Sequence, residues 1–350
     1  MISKEKVVIV GGGLSGLTLA YLPKKKGVST TLLEASTRLG GRIQTVKGKM
    51  GTPLELGATW FADKHQSFSA LVDELGLQKF PQYSKGITLF QTKSFEPPQH
   101  FFVPEAEQPS YRVAGGTQRV IDTLSKRLND QDIRLSAKVT SISLTEKGIT
   151  VETADGISMQ ADRVVICIPP QLAASQIKFS PALPPNVQTI LPTVQTWMAG
   201  AIKFTLEYAE PFWRKKGFSG MLYSHADIVV EMYDHTNLEE DKYGFTGFLN
   251  SGAAGFGQEV RKANVLRQLS ELFGAEAGQA TAYYDKVWND EYIVQGNTII
   301  ERPHQNNGHP VLHMDYMNGK LLFCGTETAS EFPGYMEGAV DAAIRVANQF

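Results

Sequence analysis

The chain has 350 residues, 42% of them apolar, and a formal net charge of −2. At roughly 150 residues per domain this is material for about two domains with sizeable cores. The near-neutral balance and dispersed Lys and Arg exclude a polyanion-binding face, so no nucleic-acid partner is expected, and with only two cysteines, Cys167 and Cys324, a disulfide scaffold is excluded and a reducing compartment fits.

The opening MISKEK reaches a first strand without a secretory apolar region. No apolar run approaches the roughly 18–20 residues of a spanning helix. A cytoplasmic protein with no membrane span is the expectation. Residues 6–10 (KVVIV) read as a buried parallel strand, and the glycine turn Gly11-Gly12-Gly13 follows. A helix then runs from about Ser15 to Lys25, which Pro23 should kink or end. Residues 28–34 (VSTTLLE) read as a second strand closed by Glu34, a βαβ start. Residues 66–75 look helical. Residues 80–112, rich in Pro and aromatics, show no readable pattern and are taken as irregular. Gly115-Gly116 opens an amphipathic helix around 117–128. Residues 138–168 alternate as a β-meander ending in RVVICIPP, with turns at 146–148 and 154–156. The proline-rich stretch 171–192 reads as a crossover. Residues 199–290 mix strands (AIKFTLEY, DIVVEMY, GFTGFLN) with a helix near 258–273. KLLFCG, a loop, and a helix from about Tyr335 finish the chain. A strand feeding a glycine turn at both ends predicts one domain holding both termini, with a second inserted.

Gly11, Gly13 and Gly16 satisfy GxGxxG. The first permits a tight turn, the second lets the main chain approach a pyrophosphate, and the third allows close helix–strand packing. Glu34 follows 18 residues after Gly16, where a ribose-binding carboxylate belongs. An acid there favours a free 2′-hydroxyl over a 2′-phosphate. Residues 36–43 (STRLGGRI) place Gly40-Gly41 between Arg38 and Arg42, which suits a second phosphate-facing loop. Lys203 is a charge in the apolar run AIKFTLEY and needs a reason; either an outward-facing strand lysine or a functional one satisfies the alternation. His309 and His313 are four apart, but Gly308 and Pro310 argue against a helix, so no metal site is expected. No Ser or Cys nucleophile motif appears.

GGGLSG…E…RLGGR, ELGATWF, RVVICIPP, AIKFTLEYAEPFWRKKGF and CGTETASEFPGYMEGA together resemble the flavin-containing amine oxidases, close to the monoamine oxidases. The likeness is spread over most of the chain. It implies an α/β fold: a Rossmann-like FAD-binding domain of the glutathione reductase/amine oxidase type with an inserted α+β substrate domain. The division expected is 1–80, 111–192 and 291–350 for FAD, with 81–110 and 193–290 for substrate. It implies that Gly11, Gly13, Leu14, Ser15 and Gly16 cradle the pyrophosphate, that Glu34 beside Ala35 holds the ribose, and that Arg42 meets phosphate. Gly57, Ala58, Thr59 and Trp60 would line the flavin, and the backbone of Val139 would touch adenine. Gly325 and Glu327 would lie near the ribityl–pyrophosphate part, and Tyr335 and Met336 would bring a helix N-terminus to the flavin pyrimidine, where its dipole favours the anionic reduced form.

The resemblance also gives catalytic roles to Lys203, Tyr335 and Thr298. Lys203 would hold a water against flavin N5, and Tyr335 would be one wall of an aromatic cage. Thr298 stands where monoamine oxidases have the second ring, and Asn297 where they have the cysteine that bonds to flavin. FAD is therefore expected to be non-covalent and the cage half missing. Trp288 suits either the pocket or the core. About 40 residues separate the helix at 66–75 from Gly115, too few for the family's helical substrate subdomain. A more open site, partly covered by the aromatic loop FEPPQHFFVPE, is the expectation. The implied reaction takes a small-molecule amine to an imine, with molecular oxygen as acceptor and hydrogen peroxide as product. The alternatives are a desaturase or dehydrogenase acting on a larger non-amine substrate, and a poorly catalytic FAD-binding module.

Overall fold

A computed structural model of the chain describes residues 5–24, 27–146, 148–289, 292–293 and 302–350. Asn297 and Thr298 lie outside the described residues. A five-stranded parallel sheet has the order Leu321–Phe323, Arg163–Ile166, Lys6–Val10, Ser29–Leu33, Ile133–Arg134. Its register sets Ile9 against both Val165 and Leu32. Val7–Val10, Val164–Ile166 and Leu321–Phe323 read as unbroken apolar runs because both faces are covered. Val7, Ile9, Val165 and Leu322 pack with the helices Leu14–Lys24, Gln118–Arg127 and Met336–Ala347. Val8, Val10, Val164, Ile166 and Phe323 pack on the other side against Ile142, Ile149 and Val151 of an antiparallel meander. Pro23 falls in the last turn of its helix and does not break it.

A seven-stranded sheet follows the order Ala282–Val287, Ile202–Tyr208, Tyr243–Leu249, Val229–Asp234, Phe218–Ser224, Gly86–Gln91, Gln99–Val103. Two of its strands correct the reading of residues 80–112 as irregular. Gly86–Gln91 pairs in parallel with Phe218–Ser224, and Gln99–Val103 adds the edge. The parallel partner of Gly86–Gln91 lies some 130 residues away, and the edge strand Gln99–Val103 leaves Phe101 and Phe102 50% and 70% exposed, so no alternation marks it. Lys79–Pro81 and Tyr111–Val113 close the segment as a short ribbon. Phe218–Ser224 and Ala282–Val287 are likewise strands that the sequence pattern did not announce.

One face of this sheet is core. Phe204, Leu206, Met232 and Phe245 pack on Val265, Leu269 and Phe273 of the helix Gln258–Phe273. The period of two sends the intervening residues to the opposite face. There Lys286, Lys203, Phe248, Glu231, Tyr223 and Phe90 stand in cross-strand register. Glu207, on the same face, accepts hydrogen bonds from the backbone N–H groups of Met50 (3.0 Å) and Thr52 (3.1 Å), which ties the hairpin Thr45–Lys47/Pro53–Glu55 to the sheet. Among the described residues no helix is long and apolar enough to cross a membrane.

Candidate active site

The four glycines of the first turn divide by what a Cβ would strike. At Gly11 (φ +110°) it would lie 2.7 Å from Ile168 Cγ2, at Gly12 2.6 Å from Leu39 Cδ2, and at Gly16 2.0 Å from the Gly11 carbonyl oxygen. At Gly13 it would meet nothing within 4 Å, and Gly13 lines a cleft at the ends of the parallel strands. Gly11, Gly12 and Gly16 are thus required by the protein's own packing, whereas Gly13 leaves main chain open to a ligand. Glu34, at the end of its strand, is buried. Its carboxylate accepts from the backbone N–H of Gly12 (2.6 Å) and of Ser36 (2.8 Å), which fixes it at the cleft wall.

The second glycine loop is laced to the first through Gly40 N–H donating to Gly12 O at 2.9 Å. Its two arginines differ. Arg38 donates to the carbonyl oxygens of Leu39, Gly41 and Ile43, so its guanidinium folds the loop while the residue lines the cleft. Arg42 pairs with Glu327 at 2.7 Å. Glu327 is fully buried, yet its Oε2 receives no hydrogen bond, and Arg42 Nη1 is buried without an acceptor. Unsatisfied buried groups are costly. Here they sit beside the cleft, which fits a polar ligand completing the pair.

Of the residues expected at a cofactor, Gly11, Gly13, Leu14, Ser15, Glu34, Ala35, Arg42, Ala58, Val139, Tyr335 and Met336 line this one cleft. Gly16, Gly57, Thr59, Trp60, Gly325 and Glu327 do not. Gly57 stands behind the lining, its hypothetical Cβ 2.3 Å from Arg42 O. Trp288 proves to be both core and wall: it is buried, donates from Nε1 to Leu56 O at 2.7 Å, and lines the cleft. No residue from 80–112 lines this cofactor cleft. Thr326 is a lining residue that sequence reading missed. Its hydroxyl donates to Tyr335 O (2.7 Å) and accepts from Gly334 N–H (3.0 Å), setting the start of the helix Met336–Ala347 against the cleft.

Tyr335 is 40% exposed and sits among rings. Trp197 and His304 lie roughly parallel to it at 6.3 and 6.1 Å, and His65 is tilted at 5.9 Å. Gly334 (φ +85°) lets Trp197 approach, since a Cβ there would be 2.5 Å from Trp197 Cβ. No spacing in the sequence joins these rings; only the fold does. His309 and His313 are local loop groups. His309 accepts from Val311 N–H at 3.3 Å, and His313 Nε2 is 2.6 Å from Thr328 O.

Lys203 points inward. It is 3% exposed, and its Nζ donates to Gly57 O at 2.6 Å and to Thr59 Oγ1. The rings of Trp60 and Phe248 flank it, 4.7 and 5.5 Å from Nζ to the centroids. Burial disfavours its cation and lowers its pKa to about 7, against the opposing pull of Glu55 and Glu231. Glu55 is buried too, and burial raises its pKa although Thr117 N–H and the Thr45 hydroxyl donate to it. Both thiols are free and buried; burial and a neighbouring Cys324 hold Cys167 above the ordinary thiol range.

The parallel sheet, the open glycine turn and the acid closing the second strand define a dinucleotide-binding oxidoreductase. The chain belongs to the flavin containing amine oxidoreductase family, whose model matches residues 14–97 and 91–349. It is similar to the probable flavin-containing monoamine oxidase A of Dictyostelium discoideum, 26% identical over 444 aligned positions, with 98% of this chain and 96% of the relative covered. It is similar to amine oxidase B of Mus musculus, 26% identical over 458 positions, covering 100% and 86%. The first alignment exceeds this chain's 350 residues by 94 positions (444 − 350), so the relatives hold segments without a counterpart here. In fold it is similar to a putrescine oxidase bound to putrescine (TM-score 0.85, 23% identity, 99% of both chains) and to cyclohexylamine oxidase from Brevibacterium oxydans (TM-score 0.85, 20% identity, 99% of both). It is therefore a flavin-dependent, amine oxidase-like oxidoreductase with an FAD-binding fold.

Proposed function

We propose that the chain oxidises a small amine to an imine, using non-covalently held FAD, with molecular oxygen as acceptor and hydrogen peroxide as product. The observation that carries this is Lys203. Its buried amine is held between Trp60 and Phe248 by the same Gly57–Thr59 stretch whose Ala58 lines the cleft. Held by these residues, FAD would supply a two-electron acceptor for the hydride equivalent lost from the amine's α-carbon, with oxygen as the final oxidant. Water then hydrolyses the substrate's imine to an aldehyde or ketone and ammonia or an amine.

The chain's own residues do the rest. Gly13, Leu14 and Ser15 present main chain to the pyrophosphate, Glu34 beside Ala35 takes the ribose hydroxyls, and Val139 meets adenine. Arg42, completed by Glu327 and backed by Gly325, meets phosphate. The ammonium of Lys203 has three donors, of which Gly57 O and Thr59 take two; the third holds a water or a proton in transit. A pKa near 7 lets that nitrogen gain or lose a proton at neutral pH. Tyr335 orients the neutral amine nitrogen with its ring face. The helix N-terminus at Tyr335–Met336 favours negative charge beside it. We assign 1–80, 111–192 and 291–350 to cofactor and 81–110 and 193–290 to substrate, because all of the cleft's lining but Trp288 comes from the first set and the row around Lys203 from the second. Reduced, buried Cys167 and Cys324 support a cytoplasmic location.

The test is anaerobic mixing of the purified yellow protein with primary amines, secondary amines and polyamines. Bleaching of the flavin band by an amine, with colour restored by air and peroxide formed, is expected. Failure of every amine to bleach a flavin that dithionite still reduces overturns the reading. Acid precipitation should leave the pellet colourless; a yellow pellet overturns non-covalent binding.

A further inference from the structure

Arg112 is a buried cation with no acid of its own. It pairs in register with Phe80 in the ribbon Lys79–Pro81/Tyr111–Val113, and its guanidinium lies 4.6 Å from the centroid of that ring. The residue is 5% exposed. Nη2 donates to Thr236 O and Nη1 to His235 Nδ1 at 3.0 Å, both neutral acceptors. Burial, with Arg112 and Lys203 nearby, holds the His235 imidazole well below its ordinary range, so its Nδ1 accepts. Nε of Arg112 has no acceptor, and Arg112 makes no ion pair among the described residues. Asp234, a buried acid of the same neighbourhood, is already saturated. Trp213 Nε1 (2.7 Å), Arg214 Nε (2.7 Å) and Nη2 (3.0 Å) and Thr236 N–H (2.9 Å) all donate to it. Burial lowers the Arg112 pKa to about 10, which leaves it charged at neutral pH. A buried charge without a contacting counter-ion is costly.

Arg112 lines a second cleft, between the segment around 80–85, the stretch 105–109 and the turn after Asp234, and no residue lines both this cleft and the cofactor cleft. Its charges can be sorted. Glu240 is paired with Arg214 at 2.9 Å, and Arg214 is doubly bound to Asp234, so that group is internally balanced. What faces the cleft without a partner, among the described residues, is Arg112, the exposed Lys85 and the exposed Glu105. The balance is one positive charge, which suits a monoanion and disfavours a multiply charged one. The rest of the wall is apolar: Phe80, Pro81, Pro109 and Leu238. A guanidinium over a ring, at the end of an apolar cleft, matches the planar carboxylate of an organic acid better than a fully hydrated inorganic ion. Gln82, also in the lining, accepts from Trp60 Nε1 at 2.8 Å, so the cleft backs onto the ring that flanks Lys203.

We infer that this second cleft binds a small organic monocarboxylate, its carboxylate against Arg112 and Lys85 and its apolar part on Phe80, Pro109 and Leu238. The site is separate from the amine chamber and goes beyond the reaction proposed above. The experiment is calorimetric titration of the flavin-loaded protein with benzoate, cyclohexanecarboxylate and inorganic phosphate. One-to-one binding of both carboxylates is expected, with phosphate weaker. Two exposed rim residues should then move the benzoate Kd in opposite directions. Lys85→Glu should weaken it about 3- to 10-fold, and Glu105→Gln should tighten it about 2-fold, the scale of exposed charge pairs. Arg112→Leu should weaken it about 30-fold or more, the scale for a buried charge contact. If Arg112→Leu does not fold, the opposed shifts at the rim still decide the matter. Lys203→Met should keep the wild-type Kd. Loss of binding in Lys203→Met would put the carboxylate in the amine chamber and overturn the assignment. Equal Kd values in the two rim variants, phosphate bound more tightly than benzoate, or no binding of either carboxylate would overturn it as well.

Discussion

The cofactor cleft and the polar face of the seven-stranded sheet meet around Gly57–Trp60, and they are built by opposite means. The cleft is main chain. Its walls are glycine turns, strand ends and a helix start, and its side chains, Glu34 and Arg38 among them, mostly fasten backbone to backbone. The sheet face is side chain. Its backbone is ordinary paired strand, and its character lies in which residues share the row: two lysines, an acid and three rings. The first is the more sensitive to added volume; the second depends on which side chains share the row. Two regions of one site thus fail in different ways.

The widest separation is predicted at two glycines. Gly16→Ala forces a methyl to 2.0 Å from Gly11 O and should destabilise the fold by roughly 3 kcal/mol or more. Gly13→Ala meets no protein atom, so the cofactor-free protein should melt within about 1 kcal/mol of wild type while flavin content falls sharply. Equal melting losses would break the distinction between packing and ligand glycines. Lys203→Met comes next. Its loss should slow flavin reduction or reoxidation about 100-fold, the usual scale for a positioned proton-transfer group, and remove a rate transition near pH 7. The stability effect has a definite sign. Between pH 7 and 10.5 the unfolded chain keeps the lysine proton that the fold sheds, so wild-type stability gains a contribution as pH rises through that window. Melting curves of Lys203→Met should lack that contribution; an unchanged slope would place the amine in water. The smallest effect is expected at Phe101, which is 50% exposed on the edge strand. Phe101→Ser should change stability by under about 0.5 kcal/mol and leave turnover as it was. A large kinetic effect would return residues 92–110 to the mouth of the site.

What sequence reading recovers follows the same divide. The glycine turn, Glu34 and the helix at Tyr335 were legible because each is a short-range requirement of backbone geometry. Arg38 was legible as a residue of the cleft, but spacing gave no sign that its guanidinium also fastens its own loop. The strand at 86–91 was missed because its parallel partner lies 130 residues on, and that at 99–103 because its exposed edge position leaves no alternation. Glu231, Trp197, His304 and Thr326 carried no local signal at all. Glu231 reads as one acid in DIVVEMYD until a bulge and a register with Phe248 give it neighbours. Lys203 falls between: the charge in an apolar strand was visible, while its direction came only from alternation fixed by Phe204 and Leu206 in the core.

The parallel sheet takes strands from both ends of the chain: Lys6–Val10 lies beside Arg163–Ile166, which lies beside Leu321–Phe323. Thr326, Tyr335 and Met336 then close the cleft from the last helix. During synthesis the nucleotide cradle leaves the ribosome first, yet it waits for more than 300 residues to be made before its wall exists. Contacts of such long sequence separation are slow to close and leave apolar strand edges uncovered meanwhile. Cofactor capture is consequently a late event, and a chain that stalls before Leu321 is an aggregation hazard and not a partly active enzyme.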